Sequence, residues 1–586
     1  MIEFPPGLIL VLGALLLPFV KGPVRGALSL LLPLATLVAV WLVPDDANVT
    51  VSFIQGMEMT LVKWNPPTRV FATIFSLMAF GGALFALNQN RKVELPAAFV
   101  YAGSAVCVTF AGDILSLFIF WEMMAVGSTI VVWSGNTEAS GRAGLRYAAV
   151  HFLGGAVMMA GILAHVFALN AGGVDNPLLL DYFAFGPGGF DALTFSGPGD
   201  IAPFLILIGI LINAATPPFG SWLADAYPEA SESGTVFLSA FTTKTSVYVL
   251  MILFAGTELL IYAGMMMAVY GIVYAILEND MRRILAYSIV NQVGFMVCGI
   301  GIGTEMALNG AAAHAFAHII YKALLLMSAG SVLYMTGKRK CTDLGGLYHT
   351  MPITMWCGII GALAISAFPW TSGFISKSMI SQAAADNHLF AAWMVLTAAS
   401  AGVFLHAGIK FPWFVFFQKD RGLRPPDPPW NMRAAMIFFA FLCILLGVAY
   451  EPLYAILPYP SVNGPLYEPY TVSHVVSQLQ LLLWSGLAFF LLLPLLKRTL
   501  TITLDFDWLY RTLFPSLWRG VLRPMVTVLG WGRDVFFDES KRFAGAMTRA
   551  DTEAARLPLF REWSLGGAMV LITFMLFVFL VVGYTH

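Results

Sequence analysis

Three ionisable side chains stand in single file inside an almost wholly apolar stretch, AAHAFAHIIYKALLL at 312–326: His314, His318 and Lys322. The spacing i, i+4, i+8 puts them on one stripe of a helix over about 12 Å of axis. Histidine titrates near neutrality and the lysine extends the stripe, so the three together could pass protons laterally. Other costly charges occur in similar surroundings. Glu122 sits midway along DILSLFIFWEMMAVGSTIVVW, Lys244 in TVFLSAFTTKTSVYVLMILF, and Lys377 in GFISKSMI. An unpaired charge in such a place costs at least a few kcal/mol, so Glu122 must be protonated, paired or hydrated. Each residue has a plainer reading: a lysine can snorkel or neutralise a structural carboxylate, and a histidine can bond a facing carbonyl. Four such sites on four spans would be a wasteful way to hold helices together. His151, His165, His406 and Lys410 are weaker candidates, nearer span ends or without an evident partner. His314 and His318 have metal-ligand spacing, but no third ligand joins them, so no metal is expected.

The elements that hold these charges follow from composition. The 586 residues are 59% hydrophobic and 11% charged, with a net charge of −1. Those proportions exclude a water-soluble multidomain protein, and nothing in the charge balance points to nucleic acid. Apolar runs of 18 residues or more recur throughout, so the expected fold is an all-α polytopic membrane protein in a lipid bilayer, and not a barrel of short alternating strands. Sixteen spans are read, near 5–20, 24–43, 68–88, 95–111, 113–133, 145–169, 201–220, 233–255, 258–281, 284–303, 306–334, 351–385, 388–418, 431–458, 472–497 and 562–585. The first is expected to be a retained span, because MIEFPPGLIL lacks a basic region and a cleavage site. Basic residues cluster after odd-numbered spans: Lys21 and Arg25, Arg91 and Lys92, Arg142, Arg282 and Arg283, 338–340, 419–424, and from Lys497 on. That alternation predicts both termini on the non-cytoplasmic side.

Two spans are broken alike, the seventh at Thr216-Pro217-Pro218-Phe219-Gly220 and the twelfth at Phe368-Pro369-Trp370-Thr371-Ser372-Gly373. Such breaks survive in lipid only against protein or a wet cavity. Lying five spans apart, they suggest two inverted five-helix repeats, 95–255 and 258–418. These are flanked by N-terminal helices in 1–94 and C-terminal helices in 431–497. The stretch 501–563 mixes aromatics, leucines and arginines and reads as amphipathic helix along the membrane surface; a final span occupies 564–586. The five cysteines show no CxxC spacing, which suggests neither a cluster nor a disulfide framework, and no nucleotide-binding loop is visible. No cofactor and no catalysis by this chain alone are therefore expected.

The motifs FWEMM around Glu122, PPFGSWLADAYPEA at 217–230, TTKTSVY around Lys244, NDMRRILAYSIVNQVGF at 279–295, HAFAHIIYKALLLMSAGSV at 314–332 and SAFPWTSGFISK ending at Lys377 resemble the antiporter-like membrane subunits. These are shared by Mrp-type sodium/proton antiporters, respiratory complex I and membrane-bound hydrogenases. INAATPPFGSWLADAYPEA and FTTKTSVY look most like the D-type subunit of sodium/proton antiporters. The resemblance implies that Glu122, Lys244, His314, His318, Lys322 and Lys377 form a hydrated polar axis along the membrane midplane. Family members usually carry a lysine nine residues before the tryptophan of the PxxxW-type segment, pairing with the glutamate of span five. Here Asn213 stands before Trp222, and asparagine cannot carry the charge. The resemblance further implies a place in the inner (plasma) membrane, as part of a hetero-oligomeric complex with other membrane subunits. Three readings follow: a proton-translocating subunit of a sodium/proton antiporter, a proton-pumping subunit of a complex I-like or hydrogenase-like oxidoreductase in which no sodium moves, and a scaffold that transports nothing.

Overall fold

A computed structural model of the protein describes residues 4–493 apart from 55–56, 90, 191, 194, 196 and 461–466, and beyond these 505, 508–517, 519–520 and 524. The chain divides into two units, 1–506 and 507–586. Eleven helices of the first unit are long and apolar enough to cross a membrane, and four shorter apolar helices fill the remaining places, so every expected span as far as 472–497 has its helix. The sixteenth span lies outside the described residues, as does most of the 501–563 segment. In the second unit a π-helical turn, Leu509–Leu513, runs into the short helix Phe514–Leu517.

The N-terminal helices are α1 (Leu8–Leu16), α2 (Gly22–Leu42) and α3 (Thr68–Ala86). The first repeat comprises α4 (Glu94–Phe110), α5 (Ile114–Trp133), α6 (Glu138–Ala171), the broken pair α7 (Ile201–Asn213) and α8 (Ser221–Ala226), and α9 (Gly234–Leu238) followed by α10 (Thr242–Leu253). The second comprises α11 (Leu259–Leu277), α12 (Met281–Ile302), α13 (Glu305–Thr336), the broken pair α14 (Pro352–Ile365) and α15 (Phe374–Asp386), and α16 (Phe390–Val403). Helices α17 (Trp430–Val448), α18 (Glu451–Tyr454) and α19 (Val472–Leu492) complete the unit. Helices α12 and α13 and the span of α9 and α10 are the most enclosed of the apolar spans described.

The two predicted breaks share one local design. At the end of α7, Thr216 N–H reaches Leu211 O at 3.1 Å and Ala215 N–H reaches Ile212 O at 3.2 Å; at the end of α14, Phe368 N–H reaches Leu363 O and Ala367 N–H reaches Ala364 O, both at 3.1 Å. This is the paired 6→1 and 5→2 closure of a helix whose C′ residue is left-handed. In both breaks that residue is alanine, Ala215 at φ 64° and Ala367 at φ 56°. A left-handed alanine costs about 1–2 kcal/mol, so surrounding packing must hold both corners. Ser372 N–H, for example, is anchored on Cys443 O of α17 at 2.8 Å.

Several features differ from expectation. The eighth span is also interrupted, between α9 and α10, and the thirteenth continues α16 through π-helical turns at Phe404–Lys410 and Trp413–Phe417. Those spans too are five apart. A two-stranded antiparallel hairpin, β1 (Asn48–Ile54) and β2 (Met57–Lys63), pairs Asn48 with Lys63 in the stretch between the second and third spans. It docks on the start of α5: Asp113 caps that helix through Ser116 N–H at 2.7 Å and accepts Thr60 N–H at 2.8 Å. Finally Arg282, counted among the loop cations, lies buried in the first turn of α12. Its guanidinium donates to Pro228 O, Ala230 O and Ser231 O at 2.7–3.0 Å and to the Thr235 hydroxyl, clamping the chain between α8 and α9.

Candidate functional site: a polar axis through the helix breaks

Two of the candidate lysines stand over the ends of interrupted helices. Lys244 Nζ donates to Ser239 O, just past the last residue of α9, at 2.7 Å and to Thr243 Oγ1 at 2.9 Å. Lys377 Nζ donates to Ile365 O, the last residue of α14, at 3.0 Å, and lies 5.0 Å from the centre of the Phe295 ring. A helix C-terminus carries unpaired carbonyls and the negative end of the helix dipole, so each break supplies an ammonium with acceptors that an unbroken helix would keep for itself. Both lysines are almost fully buried.

The stripe on α13 lies between them in sequence and is equally buried. Lys322 Nζ donates to Ser288 Oγ at 2.9 Å, with Leu285 O at 3.5 Å, both on α12. His314 is held on both ring nitrogens, Nε2 at 3.2 Å from Gln292 Oε1 and Nδ1 at 3.1 Å from Ser376 Oγ. The Gln292 amide nitrogen is turned to Asn291 Oδ1, and Asn291 in turn donates to Ala268 O at 2.7 Å. The Gln292 oxygen therefore faces the ring and also accepts Tyr321 O–H at 3.0 Å. A carbonyl only accepts, so Nε2 carries the proton and Nδ1 is the basic nitrogen. The Ser376 hydroxyl can donate either to Nδ1 or to Ser372 O, 3.2 Å away. When a proton arrives at Nδ1, rotation of that hydroxyl toward Ser372 keeps every bond satisfied. His314 is thus tied to the helix of Lys377 by the residue next to it. His318 has no hydrogen-bond partner on either nitrogen and packs edge-on against Tyr321, with ring centres 5.2 Å apart.

At the other end, Glu122 on α5 is half-buried, and its Oε1 is buried without a partner. Asn213 ends α7 at the first break, covered by Trp222, whose indole N–H bonds Ile212 O at 3.0 Å. No ion pair joins Glu122 to a lysine among the described residues. His151 lies close by: α6 and α7 approach so tightly at Gly209 that a Cβ there would stand 2.8 Å from Gly154 O. His165 bonds Tyr182 O at 2.9 Å and His406 bonds Gly402 O at 2.8 Å. Lys410 Nζ donates to Ala275 O, Ile276 O and Glu278 O at 2.5–3.2 Å, satisfying the C-terminus of α11. That is a helix-capping use of the amine, away from the stripe. Among the described residues no three His, Cys, Asp or Glu side chains converge, and the five buried cysteines form no disulfide.

Sequence reasoning missed the connectors Ser288, Asn291, Gln292, Tyr321 and Ser376. The adjacent Asn-Gln pair in the middle of a fully enclosed span was the signal available.

Residues 111–403 match the family described as NADH:quinone oxidoreductase/Mrp antiporter, transmembrane. A probable K(+)/H(+) antiporter protein of Rhizobium meliloti, of the A/B type, is 29% identical over 402 residues, 64% of this chain and 39% of that protein, so the chain spans about two fifths of that relative's length. The D-type subunit of the Na(+)/H(+) antiporter of Alkalihalophilus pseudofirmus is 28% identical over 426 residues, 68% of this chain and 84% of the relative. The fold is shared with a chain of the Mrp complex from Dietzia sp., at TM-score 0.65 and 20% identity, covering 82% of this chain and 95% of that one. The matched segment contains both broken spans and all six candidate residues, Glu122, Lys244, His314, His318, Lys322 and Lys377, and the chain belongs to the NADH:quinone oxidoreductase/Mrp antiporter membrane family.

Proposed function

We propose that this chain is the proton-translocating subunit of a multisubunit cation/proton antiporter, with sodium as the exchanged cation. Glu122 and Lys244 load protons, His314, His318 and Lys322 relay them along α13, and Lys377 is the terminal exchange site. The observation that carries the reading is the hydrogen-bonded run from Gln292 through His314 to Ser376, which ties the central stripe to the helix bearing Lys377. In this reading 95–255 and 258–418 are the two half-channels, other membrane subunits complete the assembly, and the complex sits in the plasma membrane with both termini of this chain outside. Replacing Lys377 or Lys322 by alanine should abolish proton flux in vesicles carrying the assembled complex. Unchanged flux in both variants refutes the reading.

The shared family of quinone oxidoreductases favours a second reading, a proton-pumping membrane subunit of a redox-driven complex. Flux measured with and without sodium separates the two: sodium-dependent proton movement supports the antiporter, and sodium-independent movement driven by electron transfer supports the pump. Asn213 is the feature that favours a non-transporting scaffold, which silent Lys377 and Lys322 variants would establish.

A further inference from the structure

Asparagine at 213 removes a charge from the loading end, but the space beside it is chemically specific. A cavity of about 10 Å³ is lined by Trp121, Met124, Ala125, His151, Asn213 and Thr242. That is about the space of a single water. Trp121 Nε1, His151 Nε2 and Asn213 Oδ1 are all buried and have no hydrogen-bond partner among the described residues. His151 is 1% exposed, and Trp121 and Asn213 are each 3% exposed.

Their donor and acceptor roles can be assigned. His151 Nδ1 lies 2.9 Å from Tyr147 O; the carbonyl only accepts, so Nδ1 carries the hydrogen and Nε2 offers a lone pair. The indole only donates, and the asparagine oxygen only accepts. A molecule that accepts one hydrogen bond and donates two satisfies all three atoms, and water does so. A metal cation would meet the positive end of the indole N–H, so the donor set opposes sodium at this point.

We propose that His151 takes the place of the missing lysine, receiving a proton from Glu122 and passing it toward Lys244 through a water held by Trp121 and Asn213. The inference rests on the proton-translocation reading above. Glu122 faces the neighbouring turn of α6: its Oε1 lies against Gly155, where an added Cβ would overlap it. Gly155 is one turn beyond His151 on the same face of α6, about 6 Å along. Glu122 does not line the cavity, so in the transfer its side chain turns from Gly155 toward the water; its O–H bond breaks as the water takes that proton, and the water gives one of its own to His151 Nε2. A carboxylate and an imidazolium result, the latter still bonded through Nδ1–H to Tyr147 O. The ring stacks on Tyr147, with centres 3.9 Å apart, and meets Trp222 at 4.4 Å, so aromatic faces support the transient charge. Among the described residues no carboxylate or ammonium lines the cavity. In the onward step the water takes the proton back from Nε2 as it gives one of its own to the hydroxyl oxygen of Thr242, whose own O–H proton passes on toward the amine of Lys244 on the helix that Thr242 begins.

The test measures proton flux in vesicles containing the assembled complex, for wild type, Lys377→Ala, His151→Gln and the double variant His151→Gln/Asn213→Lys. Glutamine is polar and of similar reach but cannot take a proton. Loss of a positioned proton carrier should slow flux about a hundredfold, and lysine at 213 should restore it to within about threefold of wild type. A structural role for His151 would not be rescued by an amine on another helix. Flux within twofold of wild type in His151→Gln, alongside a dead Lys377→Ala, overturns the inference and leaves the proton reading standing. An assembled His151→Gln complex that lysine at 213 fails to rescue overturns it as well. Wild-type flux in Lys377→Ala overturns the reading and the inference together.

Discussion

Replacing Gln292 by leucine tests whether the polar axis depends on how His314 is held. Leucine keeps the volume and removes the oxygen that accepts from both His314 Nε2 and Tyr321 O–H. The tyrosine can turn to His314 Nε2, already 3.4 Å away, but Asn291 Oδ1 also loses the Gln292 amide donor, so the stability cost should resemble two buried hydrogen bonds and not three, about 2–4 kcal/mol. The functional cost comes from the ring. Without the carbonyl, His314 can place its proton on Nδ1 and donate to Ser376, which leaves the basic nitrogen facing away from the helix of Lys377. With Tyr321 then donating to Nε2 and Nδ1–H donating to Ser376, a preference of about 1–1.5 kcal/mol for one tautomer is reversed to about the same for the other, which should lower proton flux about five- to tenfold. Gln292→Glu keeps an acceptor at the same place and should hold the tautomer while adding a charge. The assays are thermal unfolding of the detergent-solubilised protein and proton flux after reconstitution of the complex. If Gln292→Leu melts and transports like wild type, the orienting role assigned to Gln292 is wrong.

Arg282→Met should be among the most destabilising substitutions, costing about 3 kcal/mol or more, because it strips the carbonyls of Pro228, Ala230 and Ser231 of a buried charged donor; the yield of folded protein checks it. Outside the membrane, Asp420 is held well below the usual aspartate value, first by the Arg424 guanidinium and then by Gly422 N–H. Its folded-state value is depressed, so its contribution is present above the ordinary carboxylate range near 4 and is lost as pH falls below it. Hydrogen exchange in 418–424 should therefore quicken between about pH 5 and pH 2 in wild type, and the Asp420→Asn variant should lack that step.

Charge and proline made much of this molecule legible from sequence. Glu122, Lys244, His314, His318, Lys322 and Lys377 stand out because an ionised group in lipid is expensive, and the breaks at 216–220 and 368–373 because proline removes a backbone donor. What escaped notice is what costs little. Serine and threonine sit in membrane helices at small penalty, bonding to their own backbone, so Ser288 and Ser376 carried no signal until α12, α13 and α15 were packed together, and of the connectors only the Asn291-Gln292 pair was visible beforehand. The interruption at 239–241 contains neither proline nor glycine, and Lys244 itself occupies the freed Ser239 carbonyl. The hairpin at 48–63 consists of two seven-residue strands, too short to stand out against spans three times as long. His151 looked peripheral because its distance from Asn213 in sequence hides the close packing of α6 on α7.

The hydrogen bonds of Lys244, Lys322 and Lys377 all go to carbonyl and hydroxyl oxygens. Such partners can solvate a charge but cannot cancel it. Positive charges on His314 and Lys322, about 12 Å apart along α13, repel by about 1.4 kcal/mol at an effective dielectric of 20. That is a tenfold bias against filling both at once. In the proposed relay the file should therefore fill sparsely, each arriving proton hastening the departure of the one ahead, so that the direction of travel is set at whichever end of the row is replenished first.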